Sequence, residues 1–174
     1  PGVVKSFYEN LEVVYTSDIR AGDLKYNEYD RRVAEVRPYL GPHSKLLEIG
    51  AGQGHFLNRV KPYVSEAHAC EISPTHAAAL KAMGFYVFEG PLTEYEPMIQ
   101  YDVICMYAVL EHIPYVSDFQ RHLRRWLHKD SVVFIELPNL MEPLVTFYVV
   151  PAYRDFFYRE YHLYTFSNHA LESL

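Results

Sequence analysis

The chain of 174 residues has few cysteines, and this scarcity excludes several architectures. Its two cysteines, Cys70 and Cys105, each lie in an apolar stretch that is typical of a buried strand. This placement supports neither a disulfide framework nor a cysteine metal site. We therefore expect a reduced, cytoplasmic protein.

Long hydrophobic segments are also missing. The longest apolar run, LVTFYVV at residues 144–150, is far shorter than the roughly 20 residues that cross a bilayer. No segment resembles a signal peptide, so the sequence predicts neither export nor a membrane span. The chain starts at Pro1 and not at methionine, which leads us to expect a portion of a longer protein.

Positive charge is in deficit, with 16 Lys and Arg against 22 Asp and Glu and a formal net charge of -6. Nucleic-acid binding depends on a dense basic face that neutralises phosphates. The only local cluster, Arg121, Arg124 and Arg125, is typical of a solvated helix face. Nucleic acid is therefore not expected as a partner.

What the chain does contain is an alternation of apolar strands and amphipathic helices. The strands are predicted at residues 46–50, 66–73, 85–90, 101–109 and 131–138, and the helices at 28–40, 55–64, 73–84 and 117–129. Continuous apolar strands separated by helices indicate a parallel sheet that is covered on both faces. The predicted fold is α/β with a doubly wound, mostly parallel sheet.

Two helix starts carry clear capping signals. Ser73 and Pro74 are typical of an N-cap and a first helical position, and Gly84 is typical of a helix end. Ser167 has the character of a second N-cap, opening a helix over residues 167–174. Between the last strand and this helix, residues 141–166 are crowded with aromatic side chains without a clean period.

The most informative segment is LLEIGAGQGHF at residues 46–56, where an apolar strand runs into three alternating glycines. A bare backbone between a parallel strand and a helix lets a ligand approach the main chain. A dinucleotide fingerprint requires G-x-G-x-x-G, but His55 stands at its third glycine, so a nicotinamide cofactor fits only if this histidine is tolerated. A phosphate loop would need Gly-Lys-Ser/Thr after the glycines, and none follows.

A carboxylate at the end of the next strand suggests which ligand this loop holds. Glu71 lies where doubly wound sheets place the acid that binds a ribose diol. Its position just before Pro74 also allows a simpler role as a helix N-terminal acid, and the two roles are compatible.

LLEIGAGQG, CEIS, YDVICMYAVLEHI, VVFIELPNL and HLYTFSNHALESL occur in this order along the chain. Together they resemble the class I S-adenosylmethionine-dependent methyltransferases, in particular the small-molecule group with Leu-Glu-His after strand four. The resemblance covers about residues 25–174 and implies S-adenosylmethionine as cofactor and S-adenosylhomocysteine as product. It also implies two further strands, an antiparallel hairpin that is missing from this chain.

Carried over by position, the resemblance implies a set of cofactor-binding residues. Gly50, Ala51 and Gly52 line the methionine and ribose, and Gly54 opens the helix. Glu48 orients the loop and the methionine ammonium. Glu71 accepts the ribose hydroxyls with Ile72 beside the adenine, and Met106 and Tyr107 flank the methionine. Pro91 replaces the family's usual acid, so adenine binding is left to Leu92 and apolar packing. The remaining candidates are Tyr26 and Tyr29, as an N-terminal lid over the cofactor or as plain anchors of the first helix.

Catalytic candidates are fewer. Methyl transfer needs a general base only when the acceptor still carries its proton, and His112, just past strand four, is the first candidate for that role. A structural role in fixing the loop is the alternative. Tyr161 and His162 are expected to form part of the acceptor wall, or to pack within an insertion. No metal is expected, because the other histidines look like ordinary surface or helix residues and no histidine or cysteine cluster is visible.

These patterns predict a single methyltransferase domain over residues 1–174. We divide it into an N-terminal lid and first helix (1–43), a cofactor-binding core (44–140), an aromatic acceptor, lid or dimer segment (141–166) and the start of a helix (167–174). The predicted activity is transfer of a methyl group to a small-molecule acceptor by in-line displacement. The alternative is a non-catalytic binding domain of a larger protein. Without the missing hairpin the fifth strand would be an exposed apolar edge. We therefore expect either that the protein continues past Leu174 or that a homodimer or a partner covers this edge.

Overall fold

The computed structural model describes residues 19–149, 151, 154, 155, 158 and 161–173. The side chains of residues 19–27, 144 and 145 lie outside that description, and so does the predicted role of Tyr26. Much of the aromatic segment predicted at 141–166 is likewise only partly covered.

Five parallel strands form one sheet. They are β1 (Lys45–Ile49), β2 (Glu66–Glu71), β3 (Tyr86–Glu89), β4 (Tyr101–Tyr107) and β5 (Leu127–Glu136). Their order in the sheet is β3-β2-β1-β4-β5, and every neighbouring pair is parallel. The α/β fold with a doubly wound sheet is therefore confirmed.

Helices connect and flank these strands. They are α1 (Ile19–Val36), α2 (His55–Val60), α3 (Pro74–Ala82), α4 (Val116–Trp126), α5 (Pro143–Thr146) and α6 (Asn168–Glu172). Both predicted caps are confirmed, since the Ser73 side chain accepts from the His76 amide and the Ser167 side chain accepts from the Ala170 amide. After α3, Gly84 takes the left-handed conformation with φ 79°, which ends the helix without strain.

The sheet divides the interior into two apolar clusters because successive strand residues point to opposite faces. Leu46 of β1 packs with α1, α2 and α3, through residues such as Val36, Leu57 and Leu80. The next residue, Leu47, belongs to the cluster that holds Trp126 of α4. Both faces of the sheet are therefore covered, as the apolar strand sequences predicted.

The predicted boundary between the helix at 117–129 and the strand at 131–138 was wrong. The helical spacing of apolar residues continues through Leu127, yet α4 ends at Trp126 and Leu127 begins β5. There Leu127 pairs with Tyr101, and its carbonyl accepts a 2.7 Å hydrogen bond from the Gln100 side chain. Pairing with β4 thus overrides the helical period.

The first helix and one histidine also differ from expectation. The helix predicted from residue 28 begins at Ile19, and its last predicted turn is a separate 3-10 helix, Arg37–Tyr39. His68, interpreted as an ordinary surface or helix residue, lies in β2 and hydrogen-bonds the Tyr101 hydroxyl at 2.9 Å.

β5 is an edge of the sheet in the described part of the chain, where it pairs with β4 alone. Its residues from Ser131 to Glu136 are all half-buried. The second subunit or partner that we expect over this edge stays a prediction. Within the described residues, no helix combines the length and the apolar character needed to cross a membrane.

Candidate functional site

The glycine loop between β1 and α2 has three residues in the left-handed region, with φ 72° at Gly50, 52° at Gly52 and 75° at Gly54. A Cβ on Gly50 would lie 2.5 Å from Val109, and one on Gly54 would lie 2.5 Å from Leu80. A Cβ on Gly52 would meet nothing within 4 Å. Two of the glycines are therefore required by packing, whereas Gly52 borders open space that a ligand can enter.

Glu71 is tied to this loop. Its carboxylate accepts a 2.7 Å hydrogen bond from the Gly52 amide through Oε2 and a 2.8 Å bond from the Ser73 amide through Oε1. The residue is 5% exposed. Because each carboxylate oxygen can accept two hydrogen bonds, both oxygens retain capacity for a bound hydroxyl.

Glu48 lies beneath the same loop and is buried in β1. Its Oε2 atom has no hydrogen-bond partner among the described residues. Burial raises the pKa of Glu48 well above its ordinary value, the charge of Arg32 opposes this rise, and the charge of Glu71 adds to it. An orphaned buried acceptor at the base of a glycine loop is suited to receive a cationic ligand group.

Arg32 of α1 and Glu136 at the end of β5 lie beside Tyr107 of β4, and neither was predicted from the sequence. Arg32 of α1 is 8% exposed, its guanidinium lies 4.3 Å from the Tyr107 ring centroid, and it donates to the Glu136 carboxylate at the end of β5. Arg31 donates to the same carboxylate at 2.5 Å. The only sequence signal was a pair of adjacent arginines in an amphipathic helix.

The two predicted residues at the end of β4 differ in exposure. Met106 has no exposed surface and belongs to the cluster around α4, whereas Tyr107 is half-buried and packs against the opposite cluster. Their side chains therefore lie on opposite faces of the sheet, and their predicted position on either side of the methionine stays a prediction. Burial raises the pKa of the Tyr107 hydroxyl, and the neighbouring Cys105 thiol adds to the rise.

The residues predicted around the adenine lie near Glu71. Ile72, Pro91 and Leu92 are all half-buried, and Leu92 packs against the cluster that contains Trp126. The carbonyl of Glu71 accepts a 3.2 Å hydrogen bond from the Gly90 amide, which fixes the turn before Pro91. The ends of β2 and β3 are thereby joined at one corner of the site.

Helix α1 reaches the glycine loop through Tyr29. The Tyr29 ring is half-buried, and its centroid lies 5.2 Å from that of His55, the first residue of α2. Ala51 in the loop is 7% exposed and belongs to the same apolar cluster that Tyr29 packs against. These contacts agree with the anchor role predicted for Tyr29 and leave its role as a lid a prediction.

The rim beyond β4 brings together residues that are far apart in sequence. The carbonyl of Glu111 accepts hydrogen bonds from the amides of Leu163 and Tyr164 at 2.9 and 3.2 Å. The Tyr164 hydroxyl donates to the Pro114 carbonyl at 2.8 Å. This strap, which we define as residues 161–164, is therefore held on the rim by backbone and side-chain bonds.

His112, Tyr161 and His162 meet in this strap. His112 Nδ1 lies 2.7 Å from the Tyr161 carbonyl, and its ring centroid is 5.6 Å from that of Tyr161 and 5.0 Å from that of His162. Burial lowers the pKa of His112, and the His162 charge lowers it further against the hydrogen bond to Tyr161. Glu111, beside it, is 2% exposed, and burial raises the pKa of Glu111 to about 7.

The sequence predicted no metal, yet one group of side chains in the described residues has the spacing of metal ligands. Glu111, His112 and His162 each place one ligand atom within 4.8 Å of the others. Nothing in the sequence signalled it, because His162 follows His112 by fifty residues and forms no compact motif with it. Two of the three arginines of α4 form ion pairs, Arg121 with Asp118 and Arg125 with Glu96.

Comparison with known proteins identifies the family of the chain. A family profile described as a methyltransferase domain matches residues 21–174. No curated protein matches the chain. Three solved structures illustrate the similar folds found. YcgJ from Bacillus subtilis shares 16% identity and a TM-score of 0.66, over 85% of this chain and 65% of that one.

Magnesium protoporphyrin IX methyltransferase from Synechocystis PCC 6803, solved with bound S-adenosylhomocysteine, shares 13% identity and a TM-score of 0.70, over 99% and 85% of the two chains. A SAM-dependent methyltransferase from Archaeoglobus fulgidus shares 22% identity and a TM-score of 0.63, over 83% and 66%. The chain thus spans less than two thirds of the YcgJ and Archaeoglobus chains. Because the profile covers well over half of the sequence, the chain belongs to the methyltransferase domain family, and it shares its α/β fold with these two methyltransferase structures.

Proposed function

We propose that this chain transfers a methyl group from S-adenosylmethionine to a small-molecule acceptor. The observation that carries the proposal is the contact between Glu71 and the glycine loop. A carboxylate with spare acceptor capacity lies beside Gly52, where the backbone borders open space. This pairing of a diol-binding group with an approachable main chain suits an adenosine ligand.

The residues fit the two ends of the cofactor. Glu71, with both oxygens held by backbone amides, would accept the two ribose hydroxyls. The orphaned Oε2 of Glu48 would receive the methionine ammonium, directly or through water. Gly52 would let the backbone approach the cofactor, while Gly50 and Gly54 would keep the loop in the shape that this requires. Ile72 and Leu92 would pack against the adenine.

When bound, S-adenosylmethionine would supply a sulfonium methyl group for direct displacement by the acceptor, with S-adenosylhomocysteine as the leaving group. The chain's own residues have to align the two partners and exclude water. Tyr161 and His162 of the strap, together with His112, are proposed to line the acceptor side. The closer likeness to the Leu-Glu-His group and the general-base role of His112 stay predictions.

Calorimetric titration with S-adenosylhomocysteine tests the cofactor part of this proposal. Glu71→Gln should weaken binding at least tenfold, a loss of roughly 1.4 kcal/mol, because the neutral amide is a poorer acceptor for two hydroxyls. Glu89→Gln is the matched control. Glu89 ends the neighbouring strand directly beside Glu71, yet it is exposed and pairs with Lys81. Equal affinities for the two variants would contradict the assignment of the ribose site.

Turnover is tested separately with a labelled methyl donor and a panel of small hydroxyl, amine and carboxylate acceptors. Methylation of an acceptor by wild type, with loss in Glu71→Gln, would support the enzyme. Cofactor binding without turnover on any acceptor would favour the non-catalytic binding domain. NADH fluorescence provides a control for the nicotinamide alternative, and an NADH affinity that exceeds that for S-adenosylhomocysteine would overturn the proposal.

A further inference from the structure

The rim beyond β4 contains a buried carboxylate that the proposed cofactor site does not use. Glu111 is 2% exposed, and neither of its carboxylate oxygens has a hydrogen-bond partner among the described residues. Leaving a buried carboxylate without donors is costly, and native structures usually supply a donor, a proton or a cation. A bound cation is one group that would satisfy Glu111.

The orientation of His112 fits a cation in that place. The carbonyl oxygen of Tyr161 is only an acceptor, so His112 Nδ1 at 2.7 Å must carry the hydrogen. In the neutral imidazole, Nε2 then presents its lone pair, and it lies 4.0 Å from Oε1 of Glu111. Fixing one ring nitrogen by a backbone carbonyl is how proteins orient a ligating histidine.

His162 supplies a third ligand to the same space. Its ligand atom and those of Glu111 and His112 lie within 4.8 Å of one another. The backbone bonds from Leu163 and Tyr164 to Glu111 hold the strap, so this proximity does not depend on long side chains alone. Three protein ligands from two separate segments thus converge on one point.

We propose that Glu111, His112 and His162 bind one divalent first-row metal ion of the zinc type. Two imidazoles and one carboxylate favour such an ion over magnesium or calcium, which prefer oxygen ligands. Ligand bonds of about 2.1 Å in tetrahedral geometry place ligand atoms on the order of 3.4 Å apart. Binding therefore requires the three atoms to draw together by about an ångström.

The site would bear on the acceptor, and this consequence rests on the proposed function. Three protein ligands leave at least one coordination position for an oxygen from outside the protein. A hydroxyl bound there would be oriented and would lose its proton to water more readily. The chemistry therefore points to a hydroxyl-bearing acceptor, with His112 acting as a ligand and not as a general base.

Titration of the chain with Zn²⁺ against a chromophoric chelator tests the site without any turnover. We expect one equivalent to bind to wild type, and at least tenfold weaker binding to Glu111→Gln and His162→Gln. His169→Gln is the matched control, because His169 is an exposed histidine of α6 outside the cluster. Circular dichroism checks that each variant is folded. Glu111→Gln removes a buried charge and His162 is only half-buried, so at least one of them should fold.

Weak or superstoichiometric Zn²⁺ binding to wild type would overturn the proposal, and so would equal affinity in all three variants. The same proteins are titrated with S-adenosylhomocysteine. If wild type binds Zn²⁺ but not S-adenosylhomocysteine, the result would contradict the proposed function and support the metal site. If wild type binds S-adenosylhomocysteine but not Zn²⁺, the result would support the cofactor site and overturn the metal site.

Discussion

The amide of Gly52 donates a 2.7 Å hydrogen bond to the carboxylate of Glu71, across nineteen residues of sequence. This bond joins the loop after β1 to the end of β2, so that loop shape and carboxylate position depend on each other. A change at either residue should affect ligand binding through the same piece of backbone.

Gly52→Ala should weaken S-adenosylhomocysteine binding more than it weakens the fold. Alanine in the left-handed region costs about 1–2 kcal/mol, and the new methyl group would project into the open space beside the loop. Gly84→Ala is the matched control, since Gly84 has φ 79° and no neighbour closer than 3.9 Å, yet lies after α3. Calorimetry and thermal unfolding should show similar destabilisation but weaker binding only at Gly52. Equal binding by both variants would mean that the open space is not used.

Glu48→Gln should make the ligand-free chain more stable at high pH and weaken its binding of S-adenosylhomocysteine. Burial, which has the largest effect, and the Glu71 charge raise the pKa of Glu48 in the folded state, while Arg32 lowers it. Since the folded state holds this proton more tightly, stability falls as pH rises above the unfolded pKa of about 4.3, by about 1.4 kcal/mol per pH unit until the folded pKa is reached. The advantage of the variant should therefore be small at pH 4.5 and large at pH 8. A wild type that is the more stable protein at pH 8 would contradict this.

Glu136→Gln should loosen helix α1 from the sheet. Burial raises the pKa of Glu136, but hydrogen bonds and charges from Arg32 and Arg31 outweigh it, so the pKa lies below its ordinary value. The resulting stability is present above the unfolded pKa and is lost as pH falls through the folded one.

Because the Glu136 side chain is 35% exposed, solvent screens the pair and we expect a loss of about 1 kcal/mol at neutral pH. The loss should vanish at low pH, where wild-type Glu136 is protonated. Glu35→Gln, which removes the exposed partner of Arg31, should change stability by less than about 0.5 kcal/mol. Chemical unfolding over a series of pH values from 7 downward measures both, and a Glu136→Gln loss that does not decline as the pH falls would rule out the ion pair as its cause.

Gly50 and Val109 should show energetic coupling. A Cβ at Gly50 would lie 2.5 Å from Cγ2 of Val109, and the nearest remaining atoms of Val109 would lie at 3.7 Å. Gly50→Ala therefore combines backbone strain with a clash against Val109. In the double variant, Val109→Ala relieves the clash but not the backbone strain. The double variant should be less destabilised than the sum of the single ones, by about 1 kcal/mol. Strict additivity in denaturant unfolding would show that the clash is relieved in some other way.

The parts of this fold that sequence predicted correctly are those in which local pattern and packing agree. Ser73, Pro74 and Gly84 mark α3 because each meets a backbone requirement within a few residues. The left-handed glycines of the first loop are predictable for the same reason. Leu127 was misassigned because its helical spacing to Leu123 is genuine, while its actual partner is Tyr101 across the sheet.

The missed parts of the site depend on contacts between distant residues. Arg32 and Glu136 lie 104 residues apart, and only the sheet order brings the end of β5 beside α1. The same holds for Glu111 and His162, which belong to two segments that are ordinary when taken singly. Residue type and spacing carry no record of such a pairing, so it can be found only once the fold is known.

The strap also has a consequence for biosynthesis. His112 and Tyr161 are 49 residues apart, and a ribosome adding about 5–20 residues per second needs several seconds to synthesise the intervening chain. During that interval β1 to β4 can already pair, while residues 161–164, including His162, are not yet beside the carboxylate of Glu111. A nascent chain would therefore be able to pair these strands before residues 161–164 reach the rim.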